Sequence, residues 1–242
     1  MTLNSSQSKP LAYDAYQELA EHYAAGIDTK PHNAYYERPA MISLWPDLRG
    51  LRVLDAGCGP GVYSELLTAR GAIVTAVDVS ERMLTLAKKR LGKDFDLRLV
   101  DLAQPLAMFP NQSFDFINAP LCLDYIKDWR LTFAEFNRIL KPGGKFQFSC
   151  GHPAFDAKYY ETNRYFSVER VKCTWKGFGK IVVMPSYRRS LQEVIMPLID
   201  TGFTMEKLVE PLPTEEFKHA DPRRFHTLMY RPSFLCVQAR KP

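Results

Sequence analysis

The sequence has no long apolar run and no closely paired cysteines. No stretch of about 18 or more apolar residues occurs, so we expect no transmembrane helix. The five cysteines are an odd number without a Cys-x-x-Cys pair, which favours reduced, buried thiols over disulfides or a metal site. The polar residues 1–10 lack the apolar core of a secretory signal. These absences predict a cytoplasmic protein without a membrane span or a bound metal.

The net charge is mild and the apolar content is ordinary. The formal net charge is +5 at pH 7, and the basic residues are spread along the chain. Charge therefore neither requires nor excludes a nucleic-acid partner. With 46% hydrophobic residues among 242, the chain can bury the core of a globular domain. We expect one domain over residues 1–242.

Strand and helix patterns alternate along residues 49–152. The short apolar runs that are typical of buried strands are LRVLDAG, AIVTAVDVS, FDLRLVDL, SFDFINAPL and KFQFSCGH. The amphipathic segments between them that are typical of helices are VYSELLTARG, ERMLTLAKKRLG and DWRLTFAEFNRILKPGG. This order predicts right-handed crossovers and an α/β fold with a doubly wound, Rossmann-like, mostly parallel sheet.

The segments on either side of this core follow other patterns. Residues 1–48 indicate an N-terminal cap of helices, the second of which is interrupted near Pro39. Residues 153–189 are aromatic and irregular, and they predict an inserted lid with a β-hairpin around KGFGK. Residues 190–242 return to a helix and two strands, the last of which we expect to be antiparallel. The predicted sheet therefore has seven strands.

Three glycines follow the first predicted strand, in VLDAGCGPG. Gly57, Gly59 and Gly61 allow positive φ angles and a close approach to the main chain, and the helix after them presents free amides to an anionic group. Ligands of doubly wound sheets bind beside this first strand-to-helix turn. The alternative is a tight turn that only packs a strand against a helix.

Two aspartates end the next two predicted strands. Asp78 follows the second strand, where a carboxylate can accept hydrogen bonds from a ribose diol. Asp101 closes the third strand, within reach of an adenine amino group. Either aspartate alone could instead cap the following helix. Together with the glycine turn, the pair favours a nucleoside ligand.

The glycine spacing argues against a pyrophosphate. The dinucleotide fingerprint is G-x-G-x-x-G, whereas this turn is G-x-G-x-G, with Val62 at the place of the third glycine. Asp55, two residues before the first glycine, would repel a pyrophosphate. An acid at this position suits a ligand with an ammonium group.

The chain resembles a known family in five successive motifs, VLDAGCGPG, VTAVDVS, LVDLAQPL, SFDFINAPLCLDYIKDW and ILKPGGKFQFSC. Their order and spacing are similar to those of the class I S-adenosylmethionine-dependent methyltransferases, in the small-molecule, methyltransferase type 11-like branch. The resemblance covers residues 51–151. It implies a Rossmann-like fold, an enzyme, and S-adenosyl-L-methionine as the cofactor.

The resemblance also implies roles for individual residues. Asp55 would hold the amino group of the cofactor directly or through water, Asp78 the ribose hydroxyls, and Asp101 the adenine amino group. Core packing is the alternative role of Tyr36. The residues that the resemblance implies for cofactor binding are Asp55, Gly57, Gly59, Gly61, Asp78, Val79, Met83, Asp101, Leu102, Asn118, Ala119, Tyr36 and Arg38.

On the acceptor side, transfer from a sulfonium needs alignment, and a general base is optional. His152, after the fifth strand, is the first candidate base, and a histidine that shapes the insertion is the alternative. Asp124 is the second candidate. Many members of the family that the chain resembles carry a histidine just after the fourth strand, whereas a carboxylate here could bind a cationic or hydroxylated acceptor; helix capping is its alternative. Tyr125, Tyr187 and Arg188 are candidates for the acceptor pocket, although Arg188 could instead pair with an acidic neighbour on the surface.

The loop after the fourth strand indicates the class of acceptor. Enzymes that methylate exocyclic amines of nucleic-acid bases resemble one another in an Asp/Asn/Ser-Pro-Pro-aromatic loop that stacks on an extruded base. Here the loop is NAPL, without the second proline and without the aromatic ring. The aromatic lid suits a small, enclosed substrate. We predict a small-molecule acceptor; an RNA or protein methyltransferase, or a fold relative such as a nicotinamide oxidoreductase, are the alternatives.

Overall fold

A seven-stranded sheet forms the centre of the structure, a computed structural model that describes residues 9–242. The strands of this part of the chain are β1 (Arg52–Ala56), β2 (Ile73–Asp78), β3 (Asp96–Leu99), β4 (Phe114–Pro120), β5 (Leu140–Gly151), β6 (Glu169–Trp175), β7 (Val182–Arg188), β8 (Thr204–Val209) and β9 (Phe234–Arg240). The order in the sheet is β3-β2-β1-β4-β5-β9-β8. Strands β1 to β5 are parallel, and β9 runs antiparallel to both β5 and β8. The predicted doubly wound sheet with an antiparallel last strand is confirmed.

Helices cover both faces of the sheet. Those of residues 9–242 are α1 (Tyr13–Gly26), α2 (Arg38–Ser43), α3 (Val62–Ala69), α4 (Glu81–Leu91), α5 (Trp129–Ile139), α6 (Pro153–Tyr159), α7 (Leu191–Asp200), α8 (Glu215–Ala220) and α9 (Pro222–Leu228). A π-helical turn over Asn33–Glu37 precedes α2, and a 3-10 turn over Leu123–Tyr125 follows β4. No helix among residues 9–242 is long and apolar enough to cross a membrane.

The larger core lies between the sheet and the helices α5 and α7. Phe133 and Phe136 of α5 contact Phe146 of β5, with ring centroids 4.9 and 5.0 Å apart. All three side chains are fully buried, and burial of each stabilises the fold by about 1.5–3 kcal/mol relative to an exposed ring. On the opposite face, Val53 and Phe116 pack in a second apolar cluster. Both faces of the parallel strands are therefore covered, as the continuous apolar runs predict.

The hairpin of the inserted lid packs against the N-terminal helix. Strands β6 and β7 form their own two-stranded sheet, which confirms the predicted hairpin. Val182 and Met184 of β7 are buried against Leu19 of α1. The Lys30 ammonium donates to the Gly177 carbonyl at 2.7 Å and joins the hairpin turn to the end of α1. We call α1 and this hairpin together the cover.

Three short helices were not predicted from the sequence. Helix α6 occupies the start of the segment that we interpreted as irregular, and α8 and α9 occupy the loop before β9. Both α6 and α9 begin with a proline whose missing N–H is not needed in a first helical turn. Asp221 caps α9 by accepting a hydrogen bond from the Arg224 amide. These proline-capped turns are too short to produce a helical periodicity.

Candidate active site

The three glycines after β1 are needed for different structural reasons. A methyl group added to Gly57 would come within 2.4 Å of Cys122 Cβ, and one added to Gly61 within 2.9 Å of Leu91 Cδ1. These two positions serve close packing. Gly59 has a φ angle of +53°, and a methyl group added there would meet no atom of residues 9–242 within 4 Å. Of the three glycines, Gly59 therefore faces space that a ligand can occupy.

Asp78 connects the end of β2 to the glycine turn. Its Oδ2 accepts a hydrogen bond from the Gly59 amide at 2.8 Å, and its Oδ1 accepts one from the Ser80 amide at 2.8 Å. Burial raises the pKa of Asp78, and these amides oppose the shift. Each carboxylate oxygen has a further lone pair, so the side chain can still accept hydrogen bonds from a diol. Val79, the next residue, is half-buried.

Asp101 and its neighbours lie at the end of the adjacent strand. Oδ1 of Asp101 accepts a hydrogen bond from the Ala103 amide at 2.9 Å, which is a local turn and not a helix cap. The side chains of Leu102 and of Met83, on the first turn of α4, are almost fully buried. Asp78 and Asp101 therefore stand at the carboxyl ends of neighbouring parallel strands, at the edge where the sheet binds ligands.

Asp55 is enclosed and does not reach open space. Its Oδ2 accepts a hydrogen bond from Ser64 Oγ at 2.6 Å, and its Oδ1 accepts one from Asn118 Nδ2 at 3.2 Å. Burial raises its pKa to about 6. Asn118 and Ala119 of β4 are themselves fully buried. Direct contact between Asp55 and a cofactor ammonium does not fit this arrangement, because the side chain is fully buried behind Ser64 and Asn118.

Tyr36 and Arg38 occupy different environments. Tyr36 is fully buried, its ring packs on Phe217 and Phe234, and its hydroxyl accepts a hydrogen bond from the Ser233 amide at 2.9 Å. The structure thus favours core packing of Tyr36 and does not bring its side chain to a ligand. Arg38 donates to the Ile27 carbonyl at 2.9 Å, but its buried Nε has no partner among residues 9–242.

His152 directly follows β5 and caps helix α6. Nδ1 accepts a hydrogen bond from the Ala154 amide at 3.2 Å, and Nε2 lies 2.8 Å from Glu210 Oε1. Because Nδ1 accepts, Nε2 carries the proton and donates to Glu210. Neither nitrogen has a free lone pair for a substrate proton. These contacts favour the alternative of a histidine that shapes the insertion, and the role of His152 as a base stays a prediction.

Arg188 also differs from the expectation. Arg188 is fully buried, pairs with Glu169 on β6, and donates to the carbonyls of Tyr165, Arg164 and Ser167. Its acidic partner was anticipated, but the arginine is buried within the insertion and only Glu169 reaches the surface. Tyr187 lies on the face of β7 opposite to the buried side chains of β7. Burial and pairing thus engage Arg188 within the insertion, whereas a pocket role of Tyr187 stays a prediction.

Asp124 and Tyr125 are brought to the carboxyl ends of β4 and β5. Asp124 Oδ2 accepts a hydrogen bond from the Gly151 amide at 2.9 Å, so it joins two strand ends and does not cap a helix. Burial raises its pKa, and the charge of Arg189 opposes this shift. The Tyr125 hydroxyl lies 2.7 Å from the Tyr16 hydroxyl of α1. Both residues therefore lie beneath the cover.

The sequence analysis missed Asp156 and the aromatic residues of α1. A methyl group built on Gly151 would come within 2.7 Å of Asp156 Oδ2, so this carboxyl lies against the end of β5 beside Asp124. Tyr16 of α1 contacts both Tyr125 and Trp175 edge to face, at 5.4 and 6.2 Å between ring centroids. Pro153 was the available signal for Asp156, since a helix that begins there folds residue 156 back toward β5.

The strand ends fit S-adenosylmethionine. Open space in front of Gly59, free lone pairs on Asp78 and a buried, unpartnered Arg38 Nε match a ligand with ribose hydroxyls and a carboxylate. Two open cavities, of 310 and 420 Å³, lie elsewhere: Thr162 and Glu169 of the insertion are among the residues that line the first, and Arg130 and Glu193 of helices α5 and α7 are among those that line the second. Strand-end residues and not an open cleft define the candidate site.

Comparisons with known proteins agree with this geometry. A family profile described as a methyltransferase domain matches residues 54–148. An uncharacterized protein of Haemophilus influenzae is 30% identical over 231 residues, which cover 86% of this chain and 88% of that protein. A ubiquinone biosynthesis O-methyltransferase of Coxiella burnetii is 35% identical over 167 residues, which cover 66% of this chain and 70% of that enzyme.

Solved structures extend the similarity to the whole fold. The crystal structure of an S-adenosylmethionine-dependent methyltransferase from Mesorhizobium loti superposes with a TM-score of 0.69 and 27% sequence identity. The match covers 85% of this chain and 97% of that one. The chain therefore belongs to the class I S-adenosylmethionine-dependent methyltransferases of the type 11 branch.

Proposed function

We propose that this enzyme transfers the methyl group of S-adenosylmethionine to a small molecule that binds beneath the cover. One observation carries the proposal: Tyr16 of α1 meets Tyr125, in the turn after β4, and also contacts Trp175 of β6. An aromatic cover over the strand ends suits an enclosed, partly apolar substrate better than a nucleic acid or a folded protein. The similarity to ubiquinone biosynthesis O-methyltransferases, whose name denotes a small-molecule pathway, adds support.

The residues at the strand ends would each bind a different part of the cofactor. Asp78 would accept hydrogen bonds from the ribose hydroxyls, and Asp101 would accept one from the adenine amino group with its second oxygen. Arg38 would pair with the carboxylate of the methionine part through its free Nε. Gly59 would leave room for the ligand beside the main chain. Asp55 would act indirectly, by holding Asn118 and Ser64 in place.

The cofactor supplies an electrophilic methyl group, and the protein supplies alignment and a water-poor surrounding. Correct orientation of two reactants can lower the barrier by roughly 7–11 kcal/mol. The buried rings of the cover and the strand ends would exclude water during the transfer. The Tyr16 and Tyr125 hydroxyls stay protonated, because burial raises the pKa of both far above neutrality. They can therefore orient an acceptor as hydrogen-bonding groups.

The test is a search for the methylated product. The protein would be incubated with methyl-labelled S-adenosylmethionine and with separate small-molecule, RNA and protein fractions of a cell extract. We expect label in the small-molecule fraction, with product and acceptor differing by one methylene in mass. The Asp78→Ala variant serves as the control for background transfer. Label confined to RNA or protein would contradict the proposal, and tight binding of NAD without binding of S-adenosylhomocysteine would contradict the cofactor assignment.

A further inference from the structure

Leu121, the first residue after β4, has an unusual main-chain conformation. Its φ angle of +48° lies in the left-handed region, which residues with a bulky side chain rarely adopt. Such strained residues persist only where neighbouring groups hold them, and they are concentrated at functional sites. Leu121 begins the turn of residues 121–125, which ends with the acceptor-side candidates Asp124 and Tyr125. The groups that hold Leu121 therefore determine where this turn lies.

A single residue of the neighbouring strand β5 holds the Leu121 amide. The amide donates to the Ser149 carbonyl at 3.1 Å and to the Ser149 hydroxyl at 3.0 Å. Ser149 is fully buried, so its hydroxyl proton must also find an acceptor within the protein. The direction in which that proton points fixes the lone pairs that face Leu121.

The Ser149 hydroxyl donates to Glu37, which is 112 positions away in the chain. The distance from Ser149 Oγ to Glu37 Oε1 is 2.5 Å, and the Tyr63 hydroxyl of α3 donates to Glu37 Oε2 at 2.8 Å. Glu37 is only 1% exposed and lies in the π-helical turn before α2. An ionised carboxylate accepts hydrogen bonds and donates none, so it fixes the direction of both hydroxyl groups. Glu37 thus reaches Leu121 through one intervening side chain.

A carboxyl group at this buried position is costly. Burial raises the pKa of Glu37 to about 7, and the two hydroxyl donors and the charge of Arg38 oppose the shift. Tyr23 of α1 and Cys236 of β9 are further titratable groups near enough to interact with its charge. An apolar side chain of similar size would avoid the cost of burying a charge. Stability alone therefore does not explain Glu37, whereas the orientation of Ser149 does.

The turn that Leu121 begins lies between the glycine turn and the cover. Cys122 packs so closely on the glycine turn that a methyl group added to Gly57 would come within 2.4 Å of Cys122 Cβ. The Cys122 thiol also donates to the Ala56 carbonyl of β1 at 3.2 Å. Tyr125, at the other end of the turn, contacts the cover through its hydroxyl. Displacement of Leu121 would therefore change the distance between the cofactor side and the acceptor side, and a misplacement of about 1 Å can cost about 10²-fold in rate.

From this chain of hydrogen bonds, and resting on the proposed function, we infer that Glu37 is a positioning residue for methyl transfer. It orients the Ser149 hydroxyl, which holds Leu121 in its left-handed conformation and so fixes the turn that contributes to the acceptor side. Glu37 itself is enclosed and would contact neither reactant. Loss of its carboxylate should therefore slow the transfer step and leave the binding of the cofactor nearly unchanged.

The first measurement follows the Leu121 amide and needs no acceptor. Hydrogen exchange is measured by NMR at a mildly alkaline pH, where Glu37, with its pKa of about 7, is ionised. In the Glu37→Gln and Ser149→Ala variants, we expect exchange of the Leu121 amide to be about 10–100-fold faster than in the wild type, because a hydrogen bond to a charged group is lost. The Ile117 amide, within β4, serves as the internal reference for the stability of the sheet.

The second measurement is the rate of methyl transfer. Each full-length protein receives methyl-labelled S-adenosylmethionine and the small-molecule fraction of a cell extract that the wild type labels. Glu37→Gln and Ser149→Ala should lower kcat by about 10–100-fold through misplacement of the acceptor. The KM for S-adenosylmethionine should change by less than about threefold. A residue that only stabilised the fold would lower the thermal unfolding midpoint and leave the kcat of the folded enzyme unchanged.

Tyr63→Phe is the matched control. It removes the other hydrogen bond to the same buried carboxylate and leaves the Ser149 hydroxyl bonded to Glu37. Its thermal unfolding midpoint should fall, because a buried hydrogen bond to a charged group is lost. Exchange of the Leu121 amide and kcat should both stay within about threefold of the wild type. A loss of kcat as large as that of Ser149→Ala would mean that the carboxylate acts by stabilising the fold, and it would overturn the inference.

Leu121→Gly tests the route from Glu37 to the turn. Glycine adopts a left-handed φ angle without strain, so the turn then needs less support from Ser149 and Glu37. In the Leu121→Gly background, Glu37→Gln should therefore lower kcat by no more than about threefold, so that the two changes are not additive. Full additivity of the two losses would overturn the route through Leu121.

The outcomes distinguish this inference from the proposed function. Unchanged exchange of the Leu121 amide in Glu37→Gln would overturn the link between the two residues. Faster exchange with the kcat of the wild type would overturn the positioning role and leave small-molecule methylation intact. Label in no small-molecule fraction would overturn the proposed function and, with it, the role of Glu37 in transfer. Glutamine has the shape of glutamate and removes a buried charge, so Glu37→Gln should fold, and Ser149→Ala tests the same link without changing the carboxylate.

Discussion

The hydroxyl oxygens of Tyr16 and Tyr125 lie 2.7 Å apart, although the residues are separated by 109 positions in the chain. This contact ties the N-terminal helix to the turn after β4 and fixes the cover over the strand ends. Both rings are largely enclosed, and Tyr16 also contacts Tyr23 at 5.8 Å between ring centroids. The cover is therefore a packed part of the fold with a polar contact at its centre.

The first prediction concerns this contact. Tyr16→Phe and Tyr125→Phe should each lower the free energy of unfolding by about 0.5–1.5 kcal/mol, because a buried hydroxyl loses its partner. The double variant should cost less than the sum of the two single changes, since no orphan hydroxyl remains. Chemical denaturation of the four proteins measures the coupling. Strict additivity would mean that the two hydroxyls do not interact in solution.

The second prediction concerns the binding of the cofactor. Asp78→Ala should weaken the affinity for S-adenosylhomocysteine by about 1–3 kcal/mol, because hydrogen bonds to a charged group are lost. Isothermal titration measures the change, and Asp94→Asn, at an exposed carboxylate, is the matched control. Because Asp78 also accepts a hydrogen bond from the Gly59 amide, part of the lost affinity would come from displacement of the glycine turn. Unchanged affinity would refute a ribose role for Asp78.

The third prediction compares two glycines of one turn. Gly57→Ala should destabilise the fold by about 2 kcal/mol or more, because the new methyl group collides with Cys122 Cβ. Gly59→Ala should cost less stability but more cofactor affinity, since its methyl group would enter the open space in front of the turn. Thermal unfolding and titration with S-adenosylhomocysteine give the two readouts. An equal loss of stability in both variants would contradict the assigned roles.

The fourth prediction concerns His152. His152→Gln should leave the pH–rate profile of the enzyme unchanged, because both ring nitrogens are engaged by Ala154 and Glu210. It should lower the free energy of unfolding by about 0.5–2 kcal/mol through loss of the helix cap. His152→Asn, which restores a capping side chain, should recover most of this stability. A shifted pH–rate profile in both variants would instead support His152 as a base.

The fifth prediction concerns Glu37, a buried carboxyl group that directly precedes α2. Glu37 is enclosed, accepts hydrogen bonds from Tyr63 and Ser149, and has its pKa raised to about 7 by burial. A carboxyl with a raised pKa binds more protons in the folded state than in the unfolded state. Stability therefore falls as pH rises from about 4.5 to 7, by up to roughly 3 kcal/mol for this group. Glu37→Gln should flatten this dependence in pH-resolved denaturation, and an unchanged slope would contradict it.

Local patterns predicted much of the sheet and of the cofactor side. The glycine turn, Asp78 and Asp101 could be placed because each follows a strand directly, and parallel strands bring their ends to one edge. His152 could not be assigned in this way. Its role depends on Glu210, which is 58 residues away, and a local pattern does not contain that contact.

The acceptor side depends still more on distant contacts. Asp156 reaches the end of β5 only because α6 folds back on Gly151. Arg188 is withdrawn from a ligand because its guanidinium pairs with Glu169. Tyr36 is a further example, although it lies in a segment that resembles a cofactor-binding one. Its burial depends on Phe217 and Phe234, which lie near the other end of the chain. Sequence order alone does not specify which of two physically reasonable partners a side chain meets.

The Lys30 ammonium contacts both the Gly177 carbonyl and the ring of Phe178, and it thus joins two chain segments that are far apart in sequence. We expect the exchange of spent cofactor to require that these segments separate. The polar contacts between these two segments would together hold them in place. Weakening them, for example by Lys30→Met, should hasten release of S-adenosylhomocysteine in stopped-flow measurements and admit water to the reacting groups.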